Sequence, residues 1–393
     1  MVYITVKAPE KFHQMSLEEF IYQQSTTPIY VGNETNTVTY AREELSDHFL
    51  RGFDCNRLIS LLEQFNKNTD YFRKVPRNQL YTTYYIPKPS GGLRRIDAPS
   101  PELKEEIRAF NSMIINEFYN HSMFSNIQPA YYHTSAFAYI KGRRPYDCVK
   151  RHKDNESNWY AHLDLSNFFG STTIDYAMKM LEMIFPFCEI CKSEHGKEEL
   201  RKAIDLGFLN GILTQGSPLS PLLTNIIMVP IDYILANTLR KFDGASSKKQ
   251  RYVYTRYCDD IIITSRYGFD IQKMQKYVGG VLKSFGGNYV INNEKTHYGS
   301  RAGKNFVLGM MVNKDNDITI GHKNKKRFQA MLDSFVRDTL NGKHWDRNDI
   351  QVMDGLRSYY VSIEGETIDE LVKYIGGKHG VNIREMIRKE LNR

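Results

Sequence analysis

The segment RYVYTRYCDDIIITS, residues 251–265, restricts the fold more than any other stretch of the chain. Tyr252, Val253, Tyr254 and Tyr257 on one side, and Ile261, Ile262, Ile263 and Thr264 on the other, are the aromatic and β-branched residues of paired strands, which puts Cys258 and Asp259 at the turn. The second run is apolar on both faces and reads as a central strand covered above and below. Two adjacent carboxylates, Asp259 and Asp260, at the lip of such a sheet repel each other unless a cation neutralises them. One turn aspartate needs no special account, because its side chain bonds its own backbone. A pair fits a solvated turn and a metal site equally well, and this stretch alone leaves both readings open.

Size and charge narrow the choice. The chain has 393 residues, enough for two or three structural units with ample core. Its 53 Lys and Arg against 45 Asp and Glu give a net charge of +8, which suggests an anionic partner without identifying it. Residues 240–304 carry 13 basic and 5 acidic side chains, two of the acids being Asp259 and Asp260. A basic segment around an acidic pair suits a metal-dependent enzyme that acts on phosphates. There is no run of about eighteen apolar residues, and MVYITVKAPEKF lacks the apolar core of a signal peptide, so a cytoplasmic protein with no membrane association is expected. Five scattered cysteines fit reduced thiols. Cys188-x-x-Cys191 followed by His195 has part of a zinc spacing, but no convincing fourth ligand is nearby; a helix end with two half-buried thiols explains the same residues.

Residues 1–80 read as a helical extension, with Ser16 to Glu19 at capping-box spacing and Leu58, Ile59, Leu61, Leu62 and Phe65 forming a later apolar run. Strand and helix signals alternate from Tyr81 to about Ile320, an α+β pattern, and Lys323 to Leu340 and Asp349 to Arg393 read mainly as helices. The candidate strand Trp159 to Leu165 ends in Asp164 and turns through Ser166 to Gly170 into a helix. Thr172 and Asp175 stand at capping-box spacing there, with Ile174, Ala177, Met178 and Leu181 as the apolar stripe. A lone aspartate in that position is usually a turn or cap residue. If the two strands are neighbours, however, three carboxylates meet at one edge, where they can hold two Mg²⁺ ions about 4 Å apart. Gln215-Gly216 precedes a helix start at Pro218 and Pro221, with Pro230 a kink further on. Residues 86–96 form a hairpin with Lys88 on one strand and Arg94 and Arg95 on the other, a donor set suited to a triphosphate.

In order and spacing these segments resemble a prokaryotic reverse transcriptase of the retron, group II intron or abortive-infection kind. LDLSNFF is similar to motif A, TQGSPLSP to motif B, YCDD to the Tyr-x-Asp-Asp box, PKPSGGLRR to the basic fingers hairpin, Asn293 to Thr296 to motif D, and Phe306 to Met310 to the primer grip. The resemblance implies a right-hand polymerase with fingers and palm over 81–320 and a helical thumb over 321–393. It further implies an RNA-directed DNA polymerase with two Mg²⁺ ions, or Mn²⁺ in their place, held by Asp164, Asp259 and Asp260 with the Leu165 carbonyl as a further ligand. Lys88 and Arg94 then neutralise the triphosphate, Gln215 and Gly216 position the nucleotide, Phe169 excludes a 2′-hydroxyl, and Lys295 protonates pyrophosphate. Arg143, Arg144, Lys323, Lys325, Lys326 and Arg327 are implied nucleic-acid contacts. The expected partners are dNTPs, an RNA/DNA hybrid and a structured non-coding RNA as template and primer source, with a homo-oligomer or an effector protein beyond these. The retron pattern is incomplete: Cys148-Val-Lys-Arg-His152 stands in place of Asn-Ala-x-x-His, and Val307-Leu-Gly309 in place of Val-Thr-Gly. A defence-associated enzyme is therefore favoured, with a retron enzyme making multicopy single-stranded DNA second. An RNA polymerase on the same palm is disfavoured by the Phe169 ring. A binding scaffold without catalysis is disfavoured by the intact acids.

Overall fold

Aromatic and β-branched runs from Tyr81 onward pair into hairpins, and the apolar helices after Pro218 pack behind them. The computed structural model describes residues 54–88, 91–122, 131–241, 250–303 and 306–393. One unit holds the described residues up to Arg143 with Ala161–Ile263 and Phe269–His297; a second holds Arg144–Tyr160, Thr264–Gly268 and Tyr298–Arg393. The helix start expected at Ser16 lies outside the described residues.

In the first unit, helix Cys55–Asn68 is capped by Asp54 and buries Leu58, Leu62 and Phe65. Strand β1 (Tyr81–Pro87) pairs antiparallel with β2 (Leu93–Pro99), placing Ile86 opposite Arg94, and most of this hairpin is exposed. Strand β3 (Trp159–Ser166) is followed by the short antiparallel pair β4 (Phe208–Leu209) and β5 (Ile212–Leu213). Then β6 (Tyr252–Tyr257) and β7 (Asp260–Ser265) form a hairpin closed by Cys258 and Asp259, and β8 (Val290–Ser300) completes a four-stranded sheet in the order β6-β7-β3-β8. Ile261, Ile262 and Ile263 are fully buried, so β7 is the covered inner strand that its composition requires.

Helix Ile174–Leu181 buries Ile174, Ala177, Met178 and Leu181 as expected, but its cap is Thr173 rather than Thr172. The Thr173 hydroxyl accepts from Tyr176 N at 3.2 Å. The shift follows from backbone pairing next to β5: Leu213 N donates to Thr172 O at 2.9 Å, and Ile174 N to Gly211 O at 3.1 Å. Thr172 is thus held before the helix begins, and its buried hydroxyl donates to Phe168 O instead. Further on, helices Leu219–Ile227 and Val229–Lys241 meet at a bend of 45°. Pro230 lacks the N–H that would bond to Ile226, and its ring crowds that carbonyl. No single helix among the described residues is long and apolar enough to cross a membrane.

The second unit has helix Pro145–Asp154, the antiparallel pair β9 (Met311–Val312) and β10 (Ile318–Thr319), and helices His322–Leu340, Arg347–His379 and Ile383–Leu391 around a core that includes Phe328, Leu332, Phe335, Ile350 and Ile368. The long helix breaks at Glu364, whose carboxylate accepts from Ile320 N at 2.8 Å and pairs with Lys325 at 2.6 Å.

One feature of the first unit went unread in the sequence. Arg256 of β6 and Asp232 of helix Val229–Lys241 are both at 0 % exposure and ion-paired, with Nε and Nη2 reaching the carboxylate at 2.9 and 2.8 Å. Tyr254 OH donates to the same carboxylate at 2.6 Å, and Arg256 Nη2 also reaches Asn225 Oδ1 at 3.2 Å. Removing one partner leaves a buried charge without its counterion. Asp232→Ala is expected to lower unfolding stability by about 3–5 kcal/mol in denaturant titrations, while Asp232→Leu combined with Arg256→Met recovers most of that loss.

Candidate active site

The turn between β6 and β7 is tight and strained. Cys258 has φ +59, a left-handed conformation that a two-residue hairpin normally gives to glycine. Arg256 Nη1 donates to the Cys258 carbonyl at 3.1 Å, so the buried ion pair holds the turn from behind. On the neighbouring strand, Leu165 N donates to Asp259 O at 3.0 Å. The end of β3 that carries Asp164 is thereby fixed against the turn that carries Asp259 and Asp260.

The backbones of the three acids are brought together, but their oxygens do not share one centre. Asp164, only 7 % exposed, directs both oxygens at Lys295 Nζ of β8, at 3.0 and 3.1 Å. Asp260 lies 2.9 Å from His162 Nε2. Among the described residues no three His, Cys, Asp or Glu side chains are gathered as a ready-made cage. The expectation of three converged carboxylates therefore holds for the strand ends and not for the side chains, because Asp164 has turned to Lys295 and Asp260 to His162. Burial, then the charges of Asp260 and Asp164, raises the pKa of Asp259. Burial works against a charged His162, yet the adjacent Asp260 carboxylate, with Asp164 and Asp259 beyond it, outweighs burial and raises that pKa as well. The donor set has the chemistry that divalent ions take, hard oxygen ligands that repel one another, with the Lys295 ammonium and the His162 imidazole beside them.

Next to the acids lies an open cleft of about 380 Å³ lined by Lys104, Arg108, Tyr139, Phe169 and residues 215–218 with Ser220 and Pro221. Phe169 follows the β3 turn, and Gln215 and Gly216 precede helix Leu219–Ile227. Asp97 N of β2 donates to Gln215 O at 2.9 Å, tying the exposed hairpin to this loop. Gly216 has φ +137, and a Cβ there would meet Asp97 O at 2.7 Å, so only glycine permits the contact. Lys88 and Arg94 are exposed on the hairpin and outside the cleft lining.

Two implied nucleic-acid contacts are otherwise engaged. The Arg143 guanidinium donates to the carbonyls of Thr134 and Ala136 at 2.7 and 2.5 Å and lies over the rings of Tyr132 and Phe137, so it organises its own loop. Lys325 is committed to Glu364. Arg144 is exposed and pairs with Asp147 at 3.2 Å, and Lys323, Lys326 and Arg327 are exposed on helix His322–Leu340. Cys188 is buried and Cys191 caps helix Phe187–Ile190, while His195 turns to Glu63 at 2.6 Å, which matches a helix end rather than a zinc site. In the second unit, His152 is fully buried with Nδ1 2.7 Å from Thr264 Oγ1, and burial pushes its pKa down to about 3. Sequence reading missed Arg256, Asp232, His162 and Tyr139. A lone charge inside each of two apolar runs was the available signal for the first two.

The family pattern of reverse transcriptase (RNA-dependent DNA polymerase) matches residues 86–313, more than half the chain and every segment just described in the first unit from β1's end to β8. The chain belongs to the reverse transcriptase family. It is an RNA-directed DNA polymerase, and enzymes of this family use divalent metal ions and an RNA template. It is 26 % identical over 323 residues to retron Ec83 reverse transcriptase of Escherichia coli, spanning 79 % of this chain and 90 % of that protein. Retron Ec73 reverse transcriptase, also from Escherichia coli, is 27 % identical over 260 residues, 65 % of this chain and 76 % of that one. Among solved structures, telomerase from Candida albicans superposes with a TM-score of 0.40 at 15 % identity, over 79 % of this chain and 59 % of that chain.

The raised pKa of Asp259 has a stability consequence. Its ionised form is disfavoured in the fold, so the penalty is complete above the folded-state pKa and absent below the unfolded-state value. Asp259→Asn is accordingly expected to raise the melting temperature at neutral pH, with the gain over wild type vanishing as the pH falls through that window. Melting curves of both proteins across acid and neutral pH provide the measurement.

Proposed function

We propose that Asp164, Asp259 and Asp260, with the Leu165 carbonyl, hold two Mg²⁺ ions, for which Mn²⁺ can substitute. The observation that carries this reading is that these acids sit at neighbouring strand ends, with Lys295 3.0 Å from Asp164 and His162 2.9 Å from Asp260. Bound there, the ions would lower the pKa of a primer 3′-hydroxyl and offset the charge that develops on pyrophosphate. Asp164 and Asp260 give up their nitrogen partners to do so. Lys295, released from Asp164, is then placed to give a proton to the departing pyrophosphate. Lys88 and Arg94 offer exposed cationic donors to the triphosphate, and the tie between Asp97 and Gln215 carries their hairpin with the loop that positions the nucleotide. The Phe169 ring, in the cleft beside Gln215, fills the space a 2′-hydroxyl would need.

The template in this reading is a structured non-coding RNA that also supplies the primer, and the biological role is antiphage defence. Residues 81–320 act as fingers and palm and 321–393 as thumb, with Lys323, Lys326 and Arg327 facing phosphates. The retron form of the proposal, in which DNA is copied from that RNA as a multicopy product, is favoured by the relatives, whose names are those of retron reverse transcriptases.

Asp164→Ala and Asp259→Ala are expected to abolish dNTP incorporation on a primed RNA template while the protein stays folded by melting analysis. Phe169→Val is expected to admit ribonucleotides; an unchanged ratio of dNTP to NTP incorporation would remove the gate from Phe169. Sequencing of nucleic acid copurified from cells expressing the gene with its native flanks should yield one enriched structured RNA together with DNA complementary to part of it. Binding of that RNA should fall steeply with salt. Absence of any enriched RNA, with equal phage plaque counts for wild type and Asp259→Ala, would defeat the defence reading and leave the polymerase standing.

A further inference from the structure

Tyr139 has φ +59, and it is the only aromatic residue with a left-handed backbone among the described residues. Bulky side chains seldom keep that conformation unless the surrounding chain dictates it. Here it does. Phe137 N donates to Arg256 O at 2.9 Å, Asn225 Nδ2 donates to Ala138 O at 2.9 Å, and Arg143 N donates to Ile140 O at 3.1 Å, so the backbone is fixed on both sides of Tyr139. A ring needed for packing would be buried, and an idle position at this φ suits glycine or asparagine. Tyr139 fits neither case: it is 57 % exposed, and its ring lines the cleft that holds Phe169 and Gln215. Its hydroxyl end is close to Cys258 and Asp259 of the acidic turn. The same cleft carries Lys104 and Arg108, cations suited to an anionic ligand.

We propose that Tyr139 is a substrate-contacting residue that determines nucleotide affinity, its ring packing against the base and sugar of the deoxynucleotide entering beside Phe169. The inference rests on the reading of this cleft as the nucleotide site. A flat aromatic face accepts any of the four bases, so the contact adds affinity without base preference.

Steady-state primer extension and thermal melting test this with Tyr139→Gly, Tyr139→Phe and, in parallel, Phe169→Val. Glycine accepts φ +59, so Tyr139→Gly is expected to melt no lower than wild type while its KM for dNTP rises about tenfold or more with all four bases. Tyr139→Phe keeps the ring and should hold KM within about twofold. If the glycine variant folds poorly, Tyr139→Asn, which also tolerates a left-handed φ, takes the same KM measurement. An unchanged KM with a lowered melting temperature would show a packing residue and overturn the proposal. An unchanged KM in Tyr139→Gly with altered sugar selection in Phe169→Val overturns Tyr139 alone; no response in either variant overturns the cleft reading with it.

Discussion

Arg256 stands in mid-strand with a fully buried guanidinium, and its N–H groups tie together the parts of the site. A charge removed from water must be matched by a counterion and by hydrogen bonds, or the fold loses several kcal/mol. That requirement fixes where Asp232 and Asn225 can lie, and so fixes the two helices that carry them. The 45° bend at Pro230 falls between those two residues, on consecutive helices. Asn225 passes the constraint on to the Ala138 carbonyl, while Arg256 itself holds the Cys258 carbonyl. Tyr139 and Cys258, both left-handed, are therefore held by one network.

The side chains of the acids are governed by a different balance. Their backbones are locked by strand pairing, yet their charges repel, and each finds a nearby nitrogen: Lys295 for Asp164 and His162 for Asp260. Asp259 meets neither Lys295 nor His162, and burial followed by the charge of Asp260 raises its pKa. The strand ends keep the three acids near one another, while Lys295 and His162 reach them on long or rotatable side chains. Lys295 is the clearer case, being itself more than half exposed.

Much of this was legible because it depends on local pattern. Three consecutive isoleucines announce a strand covered on both faces, Pro218 a helix start, Pro230 a kink, and the alternation around Asp164 a strand that ends in an acid. That β3 and β7 are neighbours stood only as a condition in the sequence, and the strand order supplies it. What escaped were interactions joining residues far apart in sequence. Nothing near Arg256 says that its partner is Asp232, and nothing near Arg143 says that its guanidinium turns inward to Thr134 and Ala136. Lys325 read as one of a basic cluster because its partner, Glu364, is thirty-nine positions away. The cap at Thr173 was misplaced by one residue for the same reason: the bonds that hold Thr172 out of the helix come from Leu213 and its neighbours.

Strand order connects these observations. In the sequence β6-β7-β3-β8, the strand bearing Asp164 is inside the sheet, with the acidic turn on one flank and β8 on the other. Asp164 can be repelled from only one side and compensated from only the other. Side chains alternate faces along a strand, so a slip of one residue in β8 would carry Lys295 to the opposite face and leave Asp164 with the acids alone. Register in β8 is therefore an electrostatic matter as much as a packing one. This strand has little apolar burial to set its register, with Glu294 and Lys295 both exposed. The attraction of Lys295 to Asp164 supplies part of what hydrophobic patterning does elsewhere in the sheet, so the residue that pairs with the buried acid also helps to align the strand that carries it.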